Sequence, residues 1–143
     1  MNRLEFQALS NERLEEADIL LASGKPSGAY YMAGYSVEMA LKSCILLHIE
    51  KTGIIFEDRK YASECFTHDF NTLLDKANLK TEYNILRNSQ DPDEVQLAAN
   101  WLVVTKWNES SRYQTHLQSE AKAMIDAISH HETGVLTWLK KYW

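Results

Sequence analysis

The stretch GAYYMAGYSVEMALKSCILLH, residues 28–48, is almost entirely apolar or aromatic, yet it carries Glu38 in its middle and Lys42 one helical turn later. At about 100° per residue it forms a central helix in which Ser36 and Ser43 belong to one narrow polar stripe. Glu38 projects roughly 140 to 160° away from that stripe. An unpaired buried carboxylate is costly, so Lys42, an Arg or His from another helix, or water in a cleft must satisfy it.

Apolar residues recur at helical spacing along most of the chain, and the central helix itself is predicted over about 27–51. The break at 24–26 is short, so the preceding helix, about 2–23, is its antiparallel neighbour. Segment 52–66 lacks a sustained period and is predicted to be a long crossover with room for one short helix. The signal is also weak over 78–92. Further helices are predicted from a cap at Thr67 or His68 to about Lys76, from Asp93 to about Trp101 or beyond, and from about Leu117 almost to the C-terminus, with a kink at Gly134.

No strand alternation, internal repeat or low-complexity segment interrupts this pattern. At 143 residues the chain fits a single domain, 1–143, which is large enough to bury a core without disulfides or metals. The sequence therefore predicts an all-α fold, an antiparallel bundle of four to five helices.

Composition narrows the function classes. The net charge of -5 argues against a general nucleic-acid coat, so any nucleic-acid contact must rest on a few placed basic residues. No run approaches the ~20 apolar residues of a membrane span, and the charged N-terminal segment lacks the apolar core of a secretory signal, so we expect a cytoplasmic protein without membrane insertion. Cys44 is predicted to be a core residue and Cys65 a loop residue, and the histidines show no metal-binding spacing, so no metal or cofactor is expected.

Three pieces of the chain carry a family resemblance. They are AYYMAGYSVEMALK (residues 29–42), HDFNTLL (68–74) and ESSRY (109–113) followed by the final helix. In this order they resemble the HEPN family, named for its higher-eukaryote and prokaryote nucleotide-binding members. The first piece is the most specific, because a Glu-x-x-x-Lys pair is uncommon on an apolar helix. The resemblance implies a small prokaryotic single-domain member with a four-helix up-and-down core and a long crossover.

The third piece bears on activity. In catalytically active members of the family, an Arg followed by four to six residues and a His starts the late helix, and paired subunits form an RNA-cleaving cleft. By resemblance Arg112 takes the Arg position and His116 the His position, although only three residues separate them here. If one helix covers both, an i,i+4 pair still shares a face. The implied chemistry is metal-independent ribonucleolysis, with His116 moving a proton, Arg112 stabilising phosphate charge and Glu38 orienting Arg112.

A structural alternative exists for each of these residues. Arg112 can instead pair with Glu38 or Glu109, while His116 is a partly exposed residue of the first helical turn. Glu38 and Lys42 can form a polar network that fixes helix register rather than a catalytic group. A near-neutral pKa is intrinsic to any histidine and does not by itself indicate catalysis.

Three functional hypotheses follow. The first, by resemblance, is a HEPN-type homodimer that partners a small nucleotidyltransferase in a toxin–antitoxin or defence-like system. The second is the ribonuclease of Arg112 and His116. The third is a non-catalytic nucleotide-binding module with a cleft formed by Glu38, Lys42 and Arg112. Tyr31 and Tyr113 are expected to line that cleft. Core and dimer packing is the commoner use of aromatic residues at helical spacing, but seven of them are also candidates for stacking on bases: Tyr30, Tyr31, Tyr35, Trp101, Trp107, Trp138 and Trp143.

Overall fold

The computed structural model describes the backbone of residues 1–143 and every side chain except that of Ile55. Its described part contains helices and no strand, which confirms the all-α prediction. The prediction of four to five helices is wrong, because short helices fill segments where the apolar period was weak. The eight α-helices are α1 (Arg3–Ala22), α2 (Pro26–Thr52), α3 (Arg59–Glu64), α4 (Phe70–Lys76), α5 (Lys80–Arg87), α6 (Pro92–Val104), α7 (Gln118–Ser129) and α8 (Val135–Leu139).

Helices α1 and α2 form an antiparallel hairpin, as the short break predicted. A capping box starts α1, in which the Asn2 side chain accepts from the Glu5 amide and the Glu5 carboxylate accepts from the Asn2 amide. The two serines of the polar stripe of α2, Ser36 and Ser43, are buried and face α1, whereas Glu50 at the end of the stripe is exposed. There the hydroxyl of Ser10 donates to the carbonyl of Ser36 over 2.7 Å, and all the atoms involved are buried. The stripe therefore joins the two helices.

Helix α2 is the centre of the molecule, and α1, α4, α7 and α8 all pack on it. Its buried side chains meet those of α4, α6, α7 and α8 in one continuous core. The largest fully buried side chains include Trp101, Leu41, Leu73, Met124, Ile128 and Leu139. None of the described helices is both long and apolar enough to cross a membrane.

The crossover after α2 contains more helix and less loop than its sequence indicates. A 3₁₀ turn, Ile54–Phe56, and α3 occupy most of it. The hydroxyl of Tyr61 on α3 donates to the carbonyl of Lys76, whose ammonium pairs with Glu64, so α3 is tied to the end of α4. The predicted cap of α4 at Thr67 or His68 is wrong. Asp69 caps it instead, accepting from the Thr72 amide at 2.7 Å.

The single long final helix predicted after Leu117 is also wrong, because the chain leaves helical geometry at His130 and turns before α8. Polar groups hold this turn. The His130 ring accepts from the Thr133 amide, and the Asn100 side chain donates to the Thr133 carbonyl. Gly134 lies inside the turn, where a Cβ would come within 2.5 Å of the carbonyl oxygens of Ile128 and His130. The glycine is therefore required for a reversal of the chain rather than for a kink.

The two cysteines differ in exposure, as the sequence predicted for Cys44. Burial raises the pKa of the Cys44 thiol to about 12, and burial is also the main cause that raises the pKa of the half-buried Cys65. Thiolate is the reactive form, so at about pH 8 we expect the folded protein to leave Cys44 unlabelled by a thiol reagent and to label Cys65 slowly. In denaturant both should react at once. Fast labelling of two thiols in the folded chain would contradict this packing.

Candidate functional site

Glu38 is buried in the middle of α2, with 1% of its side chain exposed. The ammonium of Lys42 donates to its Oε1 at 2.8 Å, which confirms the predicted i,i+4 pair. The second partner is His68, whose Nδ1 lies 2.9 and 3.0 Å from the two carboxylate oxygens. The prediction that Arg112 is a partner of Glu38 is wrong, since its described partners are Lys42 and His68. A histidine ring therefore closes the polar site that the apolar helix contains.

The position of His68 follows from the start of α4. Asp69 turns its side chain onto the first amides of that helix, and α4 packs directly on α2. The residue before the cap is therefore held at the surface of α2, where its ring reaches Glu38. The sequence predicts that an Arg or a His from another helix can satisfy Glu38, but it does not indicate that this residue is His68. The available signal was a histidine two residues before the apolar period of α4, opposite an unsatisfied carboxylate.

The other nitrogen of His68 faces a second carboxylate. Its Nε2 lies 3.5 Å from Oε2 of Glu109, whose side chain is half exposed. Glu109 is the first residue of a 3₁₀ segment, Glu109–Tyr113, which packs against α2 and is started by a capping box at Asn108. His68 thus connects α2, the start of α4 and this 3₁₀ segment.

Arg112 lies on the same 3₁₀ segment and is exposed. Its guanidinium carbon lies 4.7 Å from the ring centre of Tyr113, within cation–π range. The pKa of Arg112 is raised by Tyr113 first, and also by Tyr31 and Glu109, so these groups lie within electrostatic range of it. Glu38 forms ion pairs with Lys42 and His68, and Glu109 forms one with His68. Arg112 has no carboxylate within ion-pair distance among the described side chains. It remains available for an external anion.

Tyr31 forms the aromatic side of this region. Its ring lies 5.8 Å from that of Trp107 and 5.5 Å from that of Tyr35. The Trp107 indole donates to the Tyr31 carbonyl at 3.1 Å, which anchors the tryptophan across α2. Burial is the main cause that raises the pKa of Tyr31, and Arg112 opposes it. Tyr31 therefore carries a neutral phenol beside Arg112. A shallow apolar groove of about 250 Å³, lined by Leu9, Arg13, Tyr31, Met32 and Tyr35, continues from it.

His116 lies apart from this arrangement. Its ring stacks on Tyr30 with centroids 3.7 Å apart, its Nδ1 lies 3.1 Å from the Glu120 carboxylate, and its backbone amide donates to Ser27. The side chain is 10% exposed, and Nε2 is buried without a described partner. His116 is partly exposed, as expected, but its predicted place in the first turn of a helix is wrong, because α7 starts only at Gln118.

Arg112 and His116 do not share a helical face. The chain is 3₁₀ at Arg112 and then extended at Gln114 and Leu117, so the i,i+4 geometry is absent. Arg112 lies near Tyr31, whereas His116 stacks on Tyr30. Consecutive residues of a helix point about 100° apart. The two side chains therefore approach neighbouring residues of α2 that point about 100° apart.

These residues form one polar site, which we call the cleft. It is defined by Glu38, Lys42, His68, Glu109 and Arg112, with the rings of Tyr31 and Tyr113 near the guanidinium. It offers an unpaired cation, a histidine oriented by a buried carboxylate, and aromatic surface. Among the described residues no group of three His, Cys, Asp or Glu side chains is arranged to hold a metal ion.

Comparisons of the chain with protein-family models, with curated proteins and with solved structures give no match. The case for a function therefore rests on the geometry of the cleft and on the motifs in the sequence.

Proposed function

We propose that the chain is a HEPN-type helical module that binds a nucleotide-class ligand in the cleft around Glu38, His68 and Arg112. The observation that supports this proposal most is the exposed guanidinium of Arg112, which has no described carboxylate partner, lies over the ring of Tyr113 and is within electrostatic range of Tyr31. A guanidinium binds phosphate oxygens in bidentate fashion, and an adjacent aromatic ring offers a surface on which a base can stack. These two features together match a phosphate joined to a nucleobase.

The buried part of the cleft supports the same proposal. Lys42 and His68 place positive or proton-donating groups around the Glu38 carboxylate, and His68 remains 35% exposed. A buried ion pair adds little to stability compared with apolar packing, so its presence calls for another reason. Holding a ligand-facing histidine in one orientation is such a reason, because the carboxylate fixes which ring nitrogen carries the proton.

We further propose that the module acts as a homodimer beside a small nucleotidyltransferase, in a toxin–antitoxin or defence-like pair. The family resemblance is the basis for both partners. Two exposed aromatic side chains near the cleft are consistent with a protein contact there. Phe66, two residues before His68, is 80% exposed, and Tyr113, next to Arg112, is 78% exposed. Aromatic residues exposed beside a polar site are typical of the anchors of protein interfaces.

Ribonuclease activity by Arg112 and His116 is the alternative. It requires both side chains to act on one phosphate, and the absence of a helix that covers both residues favours binding over this pairing. A defined RNA incubated with the protein in the absence of metal distinguishes the two proposals. Cleavage that is lost in His116→Ala would favour the ribonuclease.

Calorimetry with ATP tests the binding proposal. Hydrogen bonds to charged groups contribute about 1.5–3 kcal/mol, so Arg112→Ala should weaken ATP binding by about tenfold to a hundredfold. Arg87→Ala removes an exposed arginine at the end of α5 and should leave affinity unchanged. Circular dichroism would check that both variants fold. The absence of heat with millimolar ATP, or an equal loss in both variants, would refute the proposal.

A further inference from the structure

His68 lies between two carboxylates that belong to different elements. Glu38 on α2 faces its Nδ1, and Glu109 on the 3₁₀ segment faces its Nε2. The Glu38 carboxylate is fully buried and also bound by Lys42, whereas that of Glu109 is half exposed and has no other ion-pair partner among the described residues. The contact with Glu38 is therefore the permanent one. The contact with Glu109 is the one that an external group can replace.

Proton counting shows what the Glu109 contact requires. A neutral imidazole has one N–H, so it can donate to Glu38 or to Glu109 but not to both. With its proton on Nδ1 toward Glu38, Nε2 presents a lone pair to the oxygen of Glu109. Only the protonated ring donates to both carboxylates. An anion on Nε2 is thus favoured when His68 carries a second proton.

The 3₁₀ geometry brings Arg112 to the same side. In a 3₁₀ helix the side chains of residues i and i+3 eclipse one another, and Glu109 and Arg112 are three residues apart. The carboxylate that reaches Nε2 of His68 and the guanidinium of Arg112 therefore leave the segment in one direction. The guanidinium also lies within electrostatic range of Glu109, so an anion that replaced this carboxylate would feel the charge of Arg112.

We propose that Glu109 occupies the phosphate position of the cleft, and that a ligand phosphate displaces its carboxylate from Nε2 of His68. The inference rests on the proposed nucleotide binding and adds a mechanism of control to it. A phosphate group carries more negative charge than a carboxylate and has three acceptor oxygens, so it can contact His68 while the charge of Arg112 attracts it. Glu109 keeps the position filled when no ligand is bound.

The experiment compares Glu109→Gln with wild type by calorimetry with ATP. Removal of the competing carboxylate should tighten ATP binding at least fivefold. Glu120→Gln removes the carboxylate beside His116 and should change nothing. Unchanged or weaker binding by Glu109→Gln, with wild type binding normally, would overturn the inference and leave the proposed function intact.

Inorganic phosphate separates this inference from nucleotide binding. In a ¹⁵N-histidine spectrum, phosphate should shift the His68 ring signals at lower concentration in Glu109→Gln than in wild type. If that shift occurs while ATP gives no heat, the phosphate position stands and the nucleotide proposal fails. If phosphate leaves the His68 ring unchanged in both proteins, the inference is overturned.

Discussion

Gly34→Ala is expected to lower the free energy of unfolding by about 2 to 3 kcal/mol in total. This loss occurs although helix propensity alone favours alanine over glycine by about 1 kcal/mol. A Cβ at Gly34 would lie 2.2 to 2.3 Å from three atoms of the Trp107 indole. That indole is buried, stacks on Phe70 with ring centroids 5.0 Å apart, and donates to the Tyr31 carbonyl. The substitution must therefore displace a ring that several contacts hold. Urea denaturation of both proteins measures the difference.

Gly28→Ala is the matched control, because it lies in the same helix and a Cβ there would meet only Leu20, at 3.4 Å. That distance is an ordinary van der Waals contact, so stability should stay the same or rise slightly. Equal stabilisation by both alanines would show that Trp107 does not pack against Gly34.

Glu38→Gln is expected to destabilise the protein by about 2 to 3 kcal/mol at neutral pH. Breaking a buried ion pair from one side costs about 3–5 kcal/mol. Here the two partners left behind, Lys42 and His68, are 17% and 35% exposed, so water recovers part of that cost. The amide retains the shape of the side chain, so packing changes little. Thermal and urea unfolding would both record the loss.

Asp126→Asn provides the comparison for Glu38→Gln. Asp126 pairs with Lys122 at i,i+4 on α7 over 2.7 Å, but both side chains are more than half exposed. An exposed pair of this kind contributes about 0.5 kcal/mol or less. A similar small effect for Glu38→Gln would mean that Glu38 is hydrated rather than closed over by His68.

The parts of the fold set by local sequence were predictable. The apolar period of α2, the short break before it and the i,i+4 pair of Glu38 and Lys42 all lie within one helix or its immediate flank, and the structure confirms each. That a buried Glu38 carboxylate needs partners was also predictable from the sequence. The identity of its second partner was not, because the ring of His68 reaches it across the crossover and is placed by the way α4 packs on α2.

The end of the chain shows why continuous periodicity misleads. Apolar residues keep their three-four spacing from α7 into α8, so the pattern predicts one helix. The turn at 130–134 is stabilised by a tertiary contact, the donation from Asn100 to the Thr133 carbonyl, and by polar groups around His130. Apolar spacing carries no information about either. The sequence indicates a break in the helix at Gly134, but it does not show that the backbone there passes too close for any Cβ.

The candidate site was predicted only in part, because contacts between distant parts of the chain also determine its geometry. The sequence indicates Arg112 and Tyr113 as site residues, and in the structure both are exposed, with the guanidinium over the Tyr113 ring. The link from Arg112 to His116 assumed a continuous helix. Asn108 instead caps a 3₁₀ segment with its side chain, and the chain then extends, so His116 reaches Tyr30 rather than the cleft.

One measurement tests the central claim, that the ligand site lies at His68 and Arg112. ¹⁵N-histidine-labelled protein is titrated with ATP at about pH 6.5, and the ring signals are assigned with His68→Gln and His116→Ala. We predict that the His68 ring signals shift with saturation, while those of His116 remain in place. A shift at His116 with His68 unaffected, or no histidine shift at millimolar ATP, would contradict the account.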